Sequence, residues 1–289
     1  MCLTAFAIGV SPDWPLVIAS NRDEFLTRPT LPLARWTTDS GQPVISGRDL
    51  LAGGTWLGLT PGGRAAFLTN VRAARPKAAH RSRGELVTRW LESVSNAKIF
   101  VSDLMKQSPL TYGGFNLVLG DIKQGSWHWV TNKSSAGAPV WQVQSLKFGI
   151  FGLSNAALDT PWPKTVGLKS VLQSALTSHP KIANLDTLRA RLWEALSNRE
   201  LAFENNLPAT GISRQAEKAL SSAFVEFSEQ AYGTRSSTLL LVNAGAGGGS
   251  LPGLKIQLAE RTHLRDPRGL ARVVQSAGYM QVDLAFPLV

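Results

Sequence analysis

The feature that most restricts the fold of this sequence is a set of short apolar segments that occur in pairs. The two segments of a pair are separated by a few residues that are typical of a turn. Turn signals such as Ser-Pro-Asp and Pro-Gly-Gly between two strand-length runs are typical of β-hairpins. The sequence contains three such pairs: residues 2–9 with 15–20, residues 56–60 with 64–70, and residues 115–121 with 126–132. It therefore predicts antiparallel sheets built from hairpins.

Further strands and several helices are predicted after these hairpins. Three strand-length runs cover residues 148–155, 237–242 and 254–260. Apolar residues at helical spacing predict helices over residues 86–93, 97–107, 163–176 and 186–198, and residues 213–229 are a candidate for one more helix. Ser82 and Glu85 have the spacing of a capping box before the first of these helices. Hairpins combined with helices predict an α+β fold, with two sheets between helical layers as one arrangement.

The domain organisation predicted from the sequence is one domain over residues 1–262. No composition break or internal repeat marks a linker in this range. The glycine-rich segment Asn243–Gly253 is interpreted as a hairpin loop, because it lacks the Gly-Lys-Ser/Thr ending of a phosphate loop and no helix follows it. The tail, residues 263–289, has an unknown role and is either an extra packed segment or a poorly ordered one.

The composition predicts an ordinary globular protein of the cytoplasm. Hydrophobic residues make up 44% of the 289 residues and charged residues 17%. The one cysteine cannot form an internal disulfide, which is typical of a reducing compartment. The first twenty residues resemble neither a signal peptide nor a membrane span.

The net charge of +10 raises the hypothesis of an acidic partner. Basic residues are densest between Arg72 and Arg89, but no aromatic residue is interleaved there and no known nucleic-acid motif matches. A solvated basic loop is the favoured interpretation, so no nucleic-acid partner is predicted. A basic interaction module remains the third and weakest functional hypothesis.

Cys2 follows the initiator methionine directly. Removal of Met1 would give Cys2 a free α-amine, with a reference pKa of about 7.7–8.0, beside its thiol. An N-terminal amine can activate the side-chain nucleophile of the same residue. The alternative is that Cys2 is a small buried apolar residue at the start of a strand.

Four short polar segments stand at predicted strand ends: residues 20–24, 69–72, 154–155 and 233–237. Any one of them alone is interpreted more simply as a surface turn, with ion pairs of little energetic weight. Because strand ends can present side chains to a shared cleft, the four together indicate a candidate site.

Asn21-Arg22-Asp23-Glu24, near a Met-Cys start, resembles the NRDE family, also called the transport and Golgi organisation protein family. Supporting segments in the same order are residues 53–58, 69–72, 82–84 and 232–238. The family in turn resembles N-terminal-nucleophile (Ntn) hydrolases of the penicillin V acylase and bile salt hydrolase type. The resemblance implies a four-layer αββα sandwich of antiparallel sheets.

The same resemblance implies catalytic roles for five residues. Cys2 is the implied nucleophile, and Asp23 holds its α-amine. Asn70 and Asn155 correspond to asparagines at the oxyanion and substrate positions, since side-chain amides can donate to a developing oxyanion. Arg235 corresponds to a late arginine near the nucleophile, where its charge lowers the thiol pKa.

The predicted ligand-binding residues are Asn21, Arg22, Trp56, Arg72 and Arg83. Arginine pairs well with carboxylates and phosphates, so the expected partner is a small molecule: haem, an acyl-CoA or an acyl amide. The chain departs from the hydrolases at Ser20, where they have an arginine.

Two main functional hypotheses follow. One is a hydrolase that cleaves an amide or thioester of a small acyl compound, and the other is a haem or acyl-CoA carrier without chemistry. The four histidines show no metal-ligand spacing, so no metal and no resident cofactor are predicted. His80, in the basic segment, is a weak candidate for an axial haem ligand.

Overall fold

The computed structural model describes residues 2–74, 79–134, 136–177, 185–244, 253–265 and 271–285, with side chains described as far as His263. Met1 and most of the glycine-rich segment 243–253 lie outside the described residues. So do Arg75 and Lys77 of the basic segment and the last four residues, 286–289.

Fourteen strands and five α-helices make up the described chain. The strands are β1 (Cys2–Ile8), β2 (Leu16–Phe25), β3 (Thr30–Thr37), β4 (Pro43–Asp49), β5 (Leu57–Leu59), β6 (Arg64–Asn70), β7 (Phe115–Asp121), β8 (Ser126–Lys133), β9 (Pro139–Leu146), β10 (Gly149–Leu153), β11 (Glu226–Phe227), β12 (Tyr232–Ala244), β13 (Gly253–Arg265) and β14 (Ala271–Ala285). The helices are α1 (Gly84–Glu92), α2 (Ala97–Met105), α3 (Pro163–Thr177), α4 (Leu185–Leu196) and α5 (Arg214–Ala219).

The chain forms two compact units, each with one antiparallel sheet. The first unit contains residues 28–147 and 154–158. The second contains residues 2–27, 148–153 and the chain from residue 159 onward.

In the second unit the sheet order is β10-β1-β2-β12-β13-β14, with β11 paired to β12. Helices α3 and α4 cover one face of this sheet. Leu3, Val17 and Leu239 from the strands pack there with Leu168 and Leu192 from the helices, all buried. Side chains alternate along a strand, so Cys2, next to Leu3, lies on the opposite face.

The predicted hairpin at the start of the chain is confirmed, because β1 and β2 are adjacent and antiparallel. Part of the tail is also ordered as a strand: β14 pairs antiparallel with β13.

In the first unit the strands β3 to β9 follow one another across the sheet in chain order. Helices α1 and α2 pack on it through a cluster that includes Leu86, Trp90 and Leu104. The Trp90 indole donates to the carbonyl oxygens of Ala65 and Gly120, at 3.0 and 3.3 Å, which ties α1 to the sheet. The other two predicted hairpins are confirmed as β5-β6 and β7-β8.

The reciprocal capping box predicted at the start of α1 is not formed. The Ser82 hydroxyl accepts from the Gly84 backbone N–H at 3.3 Å, but the N-cap residue is Arg83, which makes no side-chain capping bond, and the Glu85 carboxylate accepts from the Tyr112 hydroxyl. The further helix predicted within residues 213–229 is confirmed as α5, which ends at Ala219, before the short strand β11.

The α+β class with two antiparallel sheets is confirmed. Each unit supplies one sheet layer and one helical layer, which is the composition of an αββα fold. Within the described residues no helix is both long enough and apolar enough to cross a membrane.

Candidate active site at the start of strand β1

Cys2 is the first residue of β1, and its partner in the sheet is Arg22 on β2. Its side chain is only 6% exposed. The backbone N–H of Asp23 donates a hydrogen bond to the sulfur, and the charges of Asp23 and Arg22 both act on the thiol. The thiol therefore lies beside the central residues of the Asn-Arg-Asp-Glu segment.

Burial raises the pKa of the Cys2 thiol above its usual value, and the Asp23 carboxylate raises it further. The positive charge of the N-terminus, the Arg22 guanidinium and the backbone hydrogen bond, in that order, lower this pKa without reversing the shift. The thiol is consequently neutral at neutral pH unless a base removes its proton. Arg22, and not the predicted Arg235, is thus the arginine whose charge lowers the thiol pKa.

Arg235 is directed at the end of β2. The pairing of β2 with β12 has a register shift between Thr234 and Ser236, so Arg235 is the bulge residue. A bulge redirects the side chain that it contains. The guanidinium donates to the carbonyl oxygens of Phe25 and Leu26, at 2.9 and 2.8 Å, and so holds the chain where β2 ends.

Asp23 is 1% exposed and is held by two residues of β12. The Thr234 hydroxyl donates to its carboxylate at 2.7 Å, and the Tyr232 hydroxyl donates to its carbonyl oxygen at 2.7 Å. Burial raises the pKa of Tyr232 well above its usual value, with further contributions from the charges of Asp23, Glu24 and Cys2. Tyr232 therefore stays a hydrogen-bond donor.

Tyr232 and Thr234 are not among the site residues predicted from the sequence. Both lie in the 232–238 segment that supported the family resemblance, but only its charged residue was chosen. Their importance depends on the pairing of β12 with β2, which brings together residues about two hundred positions apart.

Asn21, a predicted ligand-binding residue, has no exposed surface. Its amide nitrogen donates to the carbonyl oxygens of Leu196 and Ala223, both at 2.8 Å. Its amide oxygen accepts from the Ser237 hydroxyl at 2.6 Å. These bonds commit the amide to joining β2 to the end of α4, which favours a structural role, and ligand binding by Asn21 stays a prediction.

The Asn21 side-chain amide is the first member of a buried chain of hydrogen bonds that runs through Ser237 to His263. The Ser237 oxygen and His263 Nε2 are 2.9 Å apart. Because Ser237 gives its proton to Asn21, the imidazole Nε2 must donate, and His263 cannot serve as a base for this serine. Burial lowers the pKa of His263 to about 4, assisted by the charges of Arg199 and Arg261.

Because His263 is buried in its neutral form, we expect the free energy of unfolding to decrease at acidic pH. The unfolded chain binds a proton near the reference pKa of about 6.5, whereas the folded chain does so only near 4. Lowering the pH from about 7 to about 4.5 should therefore cost about 2 kcal/mol of unfolding free energy through this group. The measurement is urea unfolding of wild type and His263→Gln, which keeps a donor but does not titrate. Equal losses in both proteins would contradict the prediction.

In the first unit, Asn70, Arg72 and Asn155 lie together. The Asn155 amide nitrogen donates to the Asn70 carbonyl oxygen at 2.9 Å. The backbone N–H of Arg72 donates to the Asn155 carbonyl oxygen at 2.8 Å. Asn155 thus fixes the end of β6, where Asn70 is the last residue.

Arg83 and Trp56 belong to the same unit. Arg83 donates to the Gly114 carbonyl oxygen at 3.3 Å, the same oxygen that accepts from the backbone of Val71 at 2.9 Å. Trp56 is 8% exposed and its ring covers Gly47, where an added Cβ would lie 2.3 Å from the indole. Trp56 is therefore a packing residue in this unit.

The structure thus brings the predicted residues together in two groups. Cys2, Asn21, Arg22, Asp23 and Arg235 are in the second unit, and Trp56, Asn70, Arg72, Arg83 and Asn155 are in the first. The convergence of both groups on one cleft stays a prediction. In the part of the chain that the structure describes, no three His, Cys, Asp or Glu side chains are grouped to hold a metal ion.

The sequence matches the family described as Transport and Golgi organisation 2 over residues 1–262. It is 31% identical over 256 residues to the Transport and Golgi organization 2 homolog of Mus musculus, covering 84% of this chain and 89% of that protein. It is 27% identical over 258 residues to the Drosophila melanogaster protein, covering 84% and 88%.

Two solved structures are similar at low identity. The Caenorhabditis elegans N-acylethanolamine-hydrolyzing acid amidase ortholog has a TM-score of 0.49 and 11% identity, over 83% of this chain and 92% of that one. A mutant conjugated bile acid hydrolase from Clostridium perfringens has a TM-score of 0.43 and 9% identity, over 100% and 97%.

Proposed function

The chain belongs to the Transport and Golgi organisation 2 family, and we propose that it is a hydrolase in which Cys2 attacks an amide or thioester of a small acyl compound. The observation that carries the proposal is the arrangement at the start of β1. There a buried thiol accepts a hydrogen bond from the backbone of Asp23, whose carboxylate is itself fixed by Thr234.

The register of β1 and β2 suggests how Asp23 acts. Cys2 pairs with Arg22, so Asp23 is one position beyond the start of β1. In a chain processed to begin at Cys2, the free α-amine emerges at this end of the strand, and the Asp23 carboxylate orients it. Thr234 limits the rotation of that carboxylate.

The proposed reaction needs only the thiol, the amine and water. The neutral α-amine removes the thiol proton, and the sulfur forms a bond to the carbonyl carbon of the substrate. The C–N or C–S bond of the substrate then breaks, and the leaving group takes the proton from the ammonium. Water, deprotonated by the same amine, hydrolyses the acyl thioester and restores the thiol. The oxyanion roles of Asn70 and Asn155 stay predictions.

The raised thiol pKa supports the need for such a base. A chain that retains Met1 has no α-amine on Cys2, and its buried thiol keeps its proton at neutral pH. Processing of the N-terminus is thus the step that the proposal requires.

The second candidate is the haem or acyl-CoA carrier that the family resemblance implies, and the same observation also fits it. A buried neutral thiol is what a carrier would have if Cys2 only packs. The two candidates differ in whether the Cys2 thiol forms a covalent bond with the ligand.

The test compares two forms of the full chain, one beginning at Met1 and one beginning at Cys2 after aminopeptidase treatment, with intact mass confirming each form. Hydrolysis is measured with a panel of fluorogenic N-acyl amides and acyl thioesters. We expect turnover only from the form that begins at Cys2, because only this form has the base. Equal turnover by both forms, or ligand binding by both without hydrolysis, would sink the proposal.

A further inference from the structure

Four strands lie at the edges of the two sheets: β3 and β9 in the first unit, and β10 and β14 in the second. One side of an edge strand carries backbone N–H and C=O groups that no neighbouring strand of the sheet uses, so it can bind a further strand. Proteins usually protect such an edge with a proline, a charged residue, a bulge or a covering segment. The four edges differ in how far they are protected.

Three of the edges are protected. Strand β3 contains Pro32 and Arg35, and its pairing with β4 has a register shift. Strand β10 has only five residues, and Asp159 covers its outer side. The Gly152 N–H donates to the Asp159 carboxylate, and the Gly152 carbonyl oxygen accepts from the Asp159 backbone N–H, both at 2.8 Å. Strand β14 has a charged residue near each end, and its pairing with β13 has two register shifts.

Strand β9 is protected only at its start, where Pro139 stands and the pairing with β8 has a register shift. From residue 142 to residue 146 it pairs with β8 without interruption. No residue of β9 is charged, and six of its eight residues are exposed, including Val140 and Val143. In the part of the chain that the structure describes, no strand pairs with its outer side. This edge is therefore the one most open to another strand.

The order of residues in β9 indicates that the other strand is β9 of a second copy. Val143 has a glutamine on each side, Gln142 and Gln144. Three positions from Val143 stand the apolar residues Val140 and Leu146. Between them, a tryptophan on one side matches a serine on the other, and only this pair differs in character. The segment therefore reads almost alike in both directions, as an antiparallel pair of identical strands requires.

A pair of this kind has two-fold symmetry, so the same surface of both copies is used and the assembly closes. Directly opposite side chains lie on the same face of a sheet. In a pair centred on Val143, the two Val143 side chains contact each other, and Gln142 lies opposite Gln144, where each amide can both donate and accept. Lys147, which directly follows β9, falls opposite Pro139 and not opposite another lysine.

We propose that two copies of the chain pair through β9, antiparallel and centred on Val143, and so join the sheets of their first units into one. The absence of charge within β9 means that no like charges face each other along the paired residues. The inference does not rest on the proposed hydrolase.

The proposed interface is small, so the dimer should be weak. Eight residues at about 3.4 Å each span about 27 Å, whereas stable interfaces bury about 1,200–2,000 Å². We therefore expect half of the protein to be dimeric only at a concentration on the order of 10–100 μM. The net charge of +10 opposes association, but at about 0.15 M salt charges more than about 8 Å apart are largely screened.

Sedimentation equilibrium of the full chain tests the pairing, at about 0.15 M salt and from about 1 μM to about 300 μM protein. The weight-average mass of the wild type should rise with concentration from that of one chain, 31.1 kDa, towards twice that value. Val143→Lys and Val143→Glu each bring like charges together at the centre of the pair, which should weaken association roughly tenfold or more. An equimolar mixture of the two variants places lysine opposite glutamate and should restore the dimer.

Leu31→Lys is the matched control. It adds the same charge at an exposed position of β3, the protected edge of the same sheet, and should associate like the wild type. Because Val143 is 39% exposed, neither of its variants should lower the melting temperature by more than a few degrees.

Several results would overturn the proposal. A wild type that keeps the mass of one chain at every concentration would leave the edge to a strand of another protein. Association that is unchanged in Val143→Lys, or lost equally in Leu31→Lys, would assign it to another surface or to net charge. A mixture that fails to restore the dimer would exclude pairing centred on Val143. Absence of hydrolysis would not bear on the pairing, because β9 and Cys2 belong to different units.

Discussion

Replacement of Cys2 by serine is expected to reduce hydrolysis at least about a thousandfold, because removal of a covalent nucleophile is among the largest single effects in enzymes. A serine hydroxyl is far less acidic and far less nucleophilic than a thiol, so it attacks much more slowly with the same α-amine as its base. The change removes no packing volume of consequence at this buried position. Ligand affinity and melting temperature should therefore stay close to those of the wild type.

The measurement is kcat and KM for wild type, Cys2→Ser and Cys2→Ala, each confirmed by mass to begin at residue 2. Thr4→Ser is the matched control, since it alters a neighbouring residue of β1 on the same face and keeps a hydroxyl. Turnover that persists in Cys2→Ala would assign the chemistry to another residue. A carrier would show unchanged haem or acyl-CoA binding in every variant and no turnover in any.

Replacement of Asn21 by leucine is expected to cost about 3 kcal/mol or more of unfolding free energy. The substitution leaves the buried carbonyl oxygens of Leu196 and Ala223 and the Ser237 hydroxyl without their partner. Each buried polar group that loses its partner costs about 1–3 kcal/mol. Asn21 is thus predicted to act on stability rather than on ligand affinity.

Urea unfolding of Asn21→Leu and Asn243→Leu tests this prediction. Asn243 is on β12, is partly exposed, and donates a bond to the Asp13 carbonyl oxygen at 3.0 Å, so its replacement should cost well under half as much. Comparable losses in the two variants would show that the buried amide has no special role. Reduced ligand affinity with unchanged stability in Asn21→Leu would restore the original prediction of a binding residue.

The fold was predictable where the interactions are local. The β1-β2 hairpin follows from two apolar runs and a turn between them, and the structure pairs Leu3 with Asn21 and Ile8 with Leu16 as such a hairpin requires. Strands β3 and β9 were not predicted, because no local sequence pattern marks them. They are the edges of their sheet, and most of their side chains are exposed, so no apolar run marks them in the sequence.

The candidate site was predictable as a set of positions but not as a set of contacts. The Asn-Arg-Asp-Glu segment does lie beside Cys2, because β1 and β2 form one hairpin. The direction of the Arg235 side chain depends on a β-bulge, which no local sequence pattern predicts. The partners of Asn21 come from the end of α4 and from Ala223, far along the chain, so its structural role appears only in the folded protein.

The most direct test of the central claim is the mass of the protein during turnover. Protein that begins at Cys2 is mixed with an acyl thioester, quenched in acid within the first turnovers, and analysed by intact mass and by sequencing of its N-terminal peptide. The account predicts an added acyl group on Cys2, absent from Cys2→Ala and from the chain that retains Met1. An acyl group on another residue, or substrate cleavage with no acylated protein at any quench time, would contradict it.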